Sequence, residues 1–217
     1  MSLEALKRNG HNLDLGRFDV AGEYDIPIIE PVHFDKNIGW ACFAHALNFD
    51  NERENIGVHF YTDDYRFERI WNDPVRYMRF LSRFAAVMSP DYSLFTDYPK
   101  AVQIYNHWKK HILAAYWQRM GLCVIPSVSW ADKDSFSWCF DGEPKNATVS
   151  VSSVGAIKGK EAKARFLDGY NAMLERLQPE KIIFFGKVPS ECEGNIEPHS
   201  PFYESYEKEL DFRSVVR

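Results

Sequence analysis

No stretch of the 217-residue sequence approaches the roughly 18 consecutive apolar residues that a membrane-spanning helix needs. Cysteine is scarce: Cys42, Cys123, Cys139 and Cys192 are the whole supply, and no two form a C-x-x-C pair. That excludes a zinc ribbon and a thioredoxin-like redox centre. Positive charge is in deficit, with 26 Lys and Arg against 31 Asp and Glu and a net charge of −5. A protein that coats nucleic acid draws most of its affinity from neutralising phosphates, so this balance argues against one. The opening residues MSLEALKRNGHNLDLG hold no apolar centre of the kind a secretory signal carries. A cytoplasmic chain with four reduced thiols and no membrane segment is expected.

Aromatic residues, in contrast, are abundant at 15%, with 16 Phe, 11 Tyr and 6 Trp, more than a small core requires. Some are expected to line a cleft. The length fits one domain. Residues 1–25 read as a polar N-terminal arm, 26–188 as a single domain and 189–217 as an acidic C-terminal tail in which Tyr203, Tyr206 and Leu210 suit a short docking helix.

Within the domain, apolar patterning alternates between strand and helix. Strands are expected at Ile26–Val32, within 38–49, before Asp63, at Tyr92–Phe95, in LCVIPSV, in FSWCF, in ATVSVSSVG and in KIIFFG. Asp73-Pro74 reads as a cap with proline in the first turn, opening a helix over VRYMRFLSRFAAVM. A long helix is predicted from Pro99 to Met120, stopped by Gly121, with Ala101, Ile104, Tyr105, Trp108, Ile112, Ala115 and Tyr116 buried. Another is predicted from Lys160 to Leu177. Such alternation implies an α/β fold with a largely parallel sheet, open or partly curled into a barrel.

Five phrases occur together in order: FYTDDYRFE at 60–68, SPDYSLF at 89–95, VIPSVSW at 124–130, CFDGEP at 139–144 and VSVSSVGA at 149–156, followed by IIFFG. As a set they resemble a family of bacterial and phage proteins known only as a domain of unknown function, over roughly residues 26–188. The resemblance implies a bacterial cytoplasmic protein associated with a prophage or other mobile element. It carries no catalytic residues with it.

Parallel α/β folds place ligands at the carboxyl ends of their strands. That rule collects Asp63, Asp64, Asp97 and Asp132 as candidate catalytic carboxylates, and Tyr65, Trp130, Ser152, Ser153, Gly155 and Lys187 as candidate ligand-binding residues. Converging carboxylates suit acid–base work or a hard cation. Asp63 and Asp64 equally suit a turn, and neighbours on an extended chain point oppositely, so at most one of them faces a site. The turn from Ser152 to Lys160 offers amides for an anion, but its glycines are one residue too close for a Walker loop and Glu161 stands where Ser or Thr is needed. Neither serine lies in a G-x-S-x-G elbow.

His107 and His111 are spaced to share a metal on one helix face, but no Glu follows His107 and no third ligand is evident. No metal or other cofactor is assigned, and both histidines are read as solvated. Lys109, Lys110 and Arg119 are read as a solvated basic face, which among aromatics would suit single-stranded nucleic acid. The leading expectation is a small-ligand-binding protein or hydrolase with a carboxylate-rich cleft. The alternative is a mobile-element accessory protein that binds nucleic acid or a host protein.

Overall fold

The computed structural model describes residues 10–51 and 53–200. Four strands, β3 (Gly39–Cys42), β4 (Arg53–His59), β5 (Phe84–Met88) and β6 (Val124–Ile125), pair in that order, all parallel; β1 (Val20–Ala21) and β2 (Ile26–Pro27) form a separate antiparallel hairpin. Three more, β7 (Thr148–Ser152), β8 (Lys181–Phe185) and β9 (Ile196–His199), form a second parallel set. A parallel bridge between Ser127 and Ser150 joins the two sets, with Val128 N–H donating to the Ser150 carbonyl and Ser150 N–H to that of Pro126, both at 2.8 Å. Among the described residues the result is seven parallel strands in chain order.

Short helices α1 (Phe43–Ala46) and α2 (Arg69–Asn72) and the longer α3 (Pro74–Leu81), α4 (Lys100–Arg119) and α5 (Lys160–Leu177) run between the strands. Strand parity then sorts the side chains into three cores. Ile56, Val58, Val87 and Val124 face outward and pack with Tyr77, Leu81, Leu113 and Trp117 of α3 and α4. Val149, Val151, Ile182 and Phe184 pack outward with Phe166, Tyr170 and Met173 of α5. The alternate positions Trp40, Ala86, Met88, Ile125, Ile183 and Phe185 form a third cluster with Phe34. Trp40 of β3 meets Phe185 of β8 and His199 of β9, with ring centroids 6.2 and 6.3 Å apart. First and last strands therefore share one interior, as in a barrel. Gly57 makes room for the Trp40 ring, which would collide with any Cβ there.

The helices at 100–119 and 160–177 and the strands at 148–152 and 181–185 fall where the pattern puts them. Other elements differ. The helix expected over 75–88 stops at Leu81, and Phe84–Met88 is strand β5. The apolar run Phe-Ala-Ala-Val-Met happens to continue the helical spacing, but a parallel strand covered on both faces has the same composition. Tyr92–Phe95 is not a strand, because Ser93 spends its backbone groups on the Asp64 and Asn106 side chains instead of a ladder. FSWCF falls in a 3-10 turn at Lys133–Ser137 and the bend after it. Strand β9 lies in the region expected to be tail; its Pro198 is tolerated because, among the described residues, β9 pairs with β8 alone and its other edge carries no ladder bonds. The helix expected around Tyr203 and Leu210 lies outside the described residues. No described helix is long and apolar enough to cross a membrane.

Candidate functional site

The loops that leave β4, β5 and β6 and the serine in mid-β7 build a polar mouth at the carboxyl end of the barrel. From β4, Tyr61 points its hydroxyl at Ser150 Oγ, 2.5 Å away. Ser150 Oγ also lies 3.1 Å from the Met88 sulfur and donates to it, which leaves Tyr61 as the donor to Ser150. From β5, the turn Ser89-Pro90-Asp91 continues into Ser93, whose N–H and hydroxyl donate to Asp64 at 3.1 and 2.8 Å. From β6, Ser127 and Ser89 exchange two bonds, at 2.7 and 2.9 Å, that lock the two loops together.

Asp91 is part-buried in this mouth. Burial, reinforced by the charge of Asp64, pushes its carboxyl up to about 7 against the pull of Lys110 and the Ser129 hydroxyl. The Tyr61 hydroxyl is raised as well, first by burial and then by the charge of Asp91. Below them His59 packs against Phe185, ring centroids 4.6 Å apart, and burial with His199 nearby lowers it to about 3, so it stays neutral.

Behind the mouth lies a buried ionic chain anchored on α4. Lys110, 2% exposed, donates to Glu143 Oε1 at 2.5 Å and to the Ser127 carbonyl at 3.0 Å. His111 Nε2 is 3.2 Å from the same Glu143 oxygen, and its Nδ1 is 2.8 Å from the Pro27 carbonyl of β2. One turn earlier, His107 Nε2 is 3.0 Å from the Asp141 carbonyl, and the two imidazole centroids are 4.3 Å apart. Burial lowers both histidines; for Glu143 burial acts upward, but the Lys110 ammonium outweighs it and the carboxyl stays below its ordinary range. Asp141 closes the chain on Arg176.

These positions overturn the solvated reading of α4. His107, Lys109, Lys110 and His111 are buried, whereas Ala101 and Tyr105 are exposed. The helix is enclosed on several sides in its second half, by the sheet, the β1–β2 hairpin and the segment around Gly142, so a single apolar stripe does not describe it. Lys109 pairs with Glu68 at 2.7 Å and sits 4.1 Å from the Tyr92 ring centre and 5.0 Å from that of Trp71. Arg119 alone of the three cations is exposed, and it lies over Phe18. No free basic face remains there for a nucleic acid.

The residues selected by the strand-end rule are scattered. Asp64 belongs to the mouth. Asp63 is exposed and 3.5 Å from Arg66, and Tyr65, 72% exposed, carries the Arg66 guanidinium over its ring. Asp97 is exposed in the turn before α4. Asp132 caps the 3-10 turn by accepting from Ser135 N–H, and shares a cleft of about 300 Å³ with Arg165 and Asp168. Trp130 packs on Phe166 and covers Gly169 of α5 as a buttress of that helix. Ser152 accepts from Val154 N–H, Ser153 donates to the Lys187 carbonyl, and Gly155 is exposed with φ of 76°. Lys187 is exposed on the loop after β8. A larger cleft, about 590 Å³, lies beside Arg17, Glu30, Arg119 and Cys123, at the opposite end of β6 from the mouth.

The residues that the strand-end rule passed over are Tyr61, Asp91, Lys110, His111 and Glu143. A signal exists for three of them: Tyr61 lies in FYTDDYRFE, Asp91 in SPDYSLF and Glu143 in CFDGEP, all phrases of that set.

Fold and mouth together define a parallel α/β barrel-like protein with a polar site at the carboxyl ends of its strands. The chain belongs to the family described as Domain of unknown function (DUF4417), which matches residues 18–202 and so takes in both the β1–β2 hairpin and β9. It is 35% identical over 176 residues to the Gene 1 protein of Mycobacterium phage L5, covering 79% of this chain and 75% of that protein. It is likewise 35% identical over 188 residues to the Gene 1 protein of Mycobacterium phage D29, covering 80% and 67%. No solved structure matches the chain.

Proposed function

We propose that the barrel mouth binds a small polar ligand and that Asp91 exchanges a proton with it, as the acid–base group of a hydrolase. One observation carries this reading: a part-buried carboxyl pushed up to about 7 stands at the carboxyl end of a parallel barrel, beside Asp64, Tyr61 and Lys110. A proton-transfer group works best when its pKa lies near the working pH. Strongly shifted groups in a cleft are more frequent at functional sites than elsewhere. Tyr61 and Ser129 supply hydroxyls to orient the ligand, and the fixed Lys110–Glu143 pair supplies a preorganised field behind it. The phage origin of the relatives supports a setting on a prophage or other mobile element.

A thermal-shift screen against nucleotides, sugars and phosphate esters tests the reading, with Asp91→Asn and Asp132→Asn run alongside. A ligand at a hundred times its dissociation constant stabilises by about 2.7 kcal/mol. For a domain of this size that is a rise of about 5–10 °C. The expected result is a shift that Asp91→Asn loses and Asp132→Asn keeps. A shift indifferent to Asp91→Asn, or no shift with any compound, contradicts the proposal.

A further inference from the structure

The most fully enclosed cluster of potential ligands lies behind the mouth, not in it. We propose that His107, His111 and Glu143 bind a divalent transition-metal ion of the zinc type. One ligand atom from each lies within 4.8 Å of the others, and all three residues are buried. The two histidines are one turn apart on α4, a spacing that puts both rings on one helix face.

The hydrogen bonds fix which nitrogens are free. A carbonyl only accepts, so His107 must carry its proton on Nε2, facing Asp141, and His111 on Nδ1, facing Pro27. The opposite nitrogens, His107 Nδ1 and His111 Nε2, are left to present lone pairs. His107 Nδ1 has no hydrogen-bond partner among the described residues, and neither has Glu143 Oε2. Buried polar atoms are rarely left so. His111 Nε2 faces a carboxylate oxygen at 3.2 Å, an acceptor opposite an acceptor, which a shared cation would reconcile.

The remaining features are those of a metal site's surroundings. Backbone carbonyls hold each imidazole through its other nitrogen, as is usual for metal-bound histidine. Lys110 engages Glu143 through Oε1 and leaves Oε2 open. Two histidines and a glutamate form a donor set used for zinc with one further position open to water or a ligand. The site is independent of the role given to Asp91.

The test is titration of the full chain, stripped with a chelator, with zinc alone and with cobalt alone near pH 7.5. His107→Phe keeps the ring volume against Trp138 and removes the nitrogen donor; Glu143→Gln weakens the oxygen donor. Circular dichroism checks that each variant is folded, and should one fail to fold, the other carries the comparison. The expected result is one equivalent bound by the wild type, with the visible absorption of four- or five-coordinate cobalt. Binding should be at least about tenfold weaker in each folded variant, the size usual for losing part of a metal's surroundings, and unchanged in Asp91→Asn. Failure of the wild type to bind one equivalent overturns the site. So does a folded variant that binds as tightly as the wild type, since the metal would then sit elsewhere, for example on the cysteines.

Discussion

Replacing Lys110 by methionine lowers the free energy of unfolding by about 3–5 kcal/mol, the range for removing one partner of a buried ion pair. The methionine fills most of the volume of the lysine stem, so lost packing is a small part of the effect. The dominant part is electrostatic. Glu143, with a side chain 0% exposed, keeps its charge in the wild type because Lys110 at 2.5 Å outweighs the cost of burial. Without that ammonium the carboxylate must remain uncompensated or take up a proton, and the Ser127 carbonyl loses its donor. Urea denaturation in the presence of a chelator measures the loss. The double variant Lys110→Met with Glu143→Leu removes both charges and should recover most of it, because the expense lies in stranding one charge and not in lacking the pair. A single variant within about 1 kcal/mol of the wild type would mean that Glu143 finds another partner.

Gly142→Ala is expected to destabilise by about 2–5 kcal/mol, from two sources that act together. The residue has φ of 76°, where a side chain costs about 1–2 kcal/mol. An added Cβ would also stand 2.6 Å from the Pro27 carbonyl oxygen, 2.8 Å from His111 Nδ1 and 2.9 Å from Ile26 Cγ2. Two of these atoms are the partners in one buried hydrogen bond, so neither can withdraw without breaking it, and overpacking of this kind adds about 1–3 kcal/mol. Gly155→Ala is the control: its φ is the same 76°, but nothing lies within 4 Å of the new Cβ. It should therefore lose only the conformational part. Thermal melts of the two variants separate the contributions, and equal losses in both would show that crowding at Gly142 contributes nothing.

The legible parts of this fold were those whose sequence pattern has one interpretation. Lys160–Leu177 has a single inward face and ends before a strand, Lys181–Phe185, that is apolar throughout. Phe84–Met88 reads as helix from its spacing because a strand buried on both faces keeps no alternation to distinguish it. The carboxyl-end rule collects Asp64, which holds Ser93 in the mouth, together with acids that have local work: Asp63 pairs with Arg66 and Asp132 caps a 3-10 turn. Asp91 reads locally as the third residue of a Ser-Pro-Asp turn, and its upward shift comes from burial in the mouth and then from the charge of Asp64 on another loop. Lys110 and His111 looked solvated because charge on a helix is ordinarily at the surface. Their burial follows from Glu143, 33 and 32 residues further on, and that pairing is a tertiary fact with no local signature.

Asp91 is a desolvated carboxyl in a preformed mouth, and its titration tests that directly. Raised from 3.8 to about 7, the group holds its proton in the folded chain across a range where the unfolded chain has released it. Its contribution to stability is therefore fully present below about pH 4, falls as the pH rises to about 7, and is constant beyond. The measurement is a carbon-13 NMR titration of the aspartate carboxyls, with Asp91 assigned by its absence in Asp91→Asn. A midpoint near 7, well apart from the other aspartates, is the predicted result. A midpoint near 4 would mean that water reaches Asp91 freely, and would contradict both the preformed mouth and the proton-transfer role assigned to it.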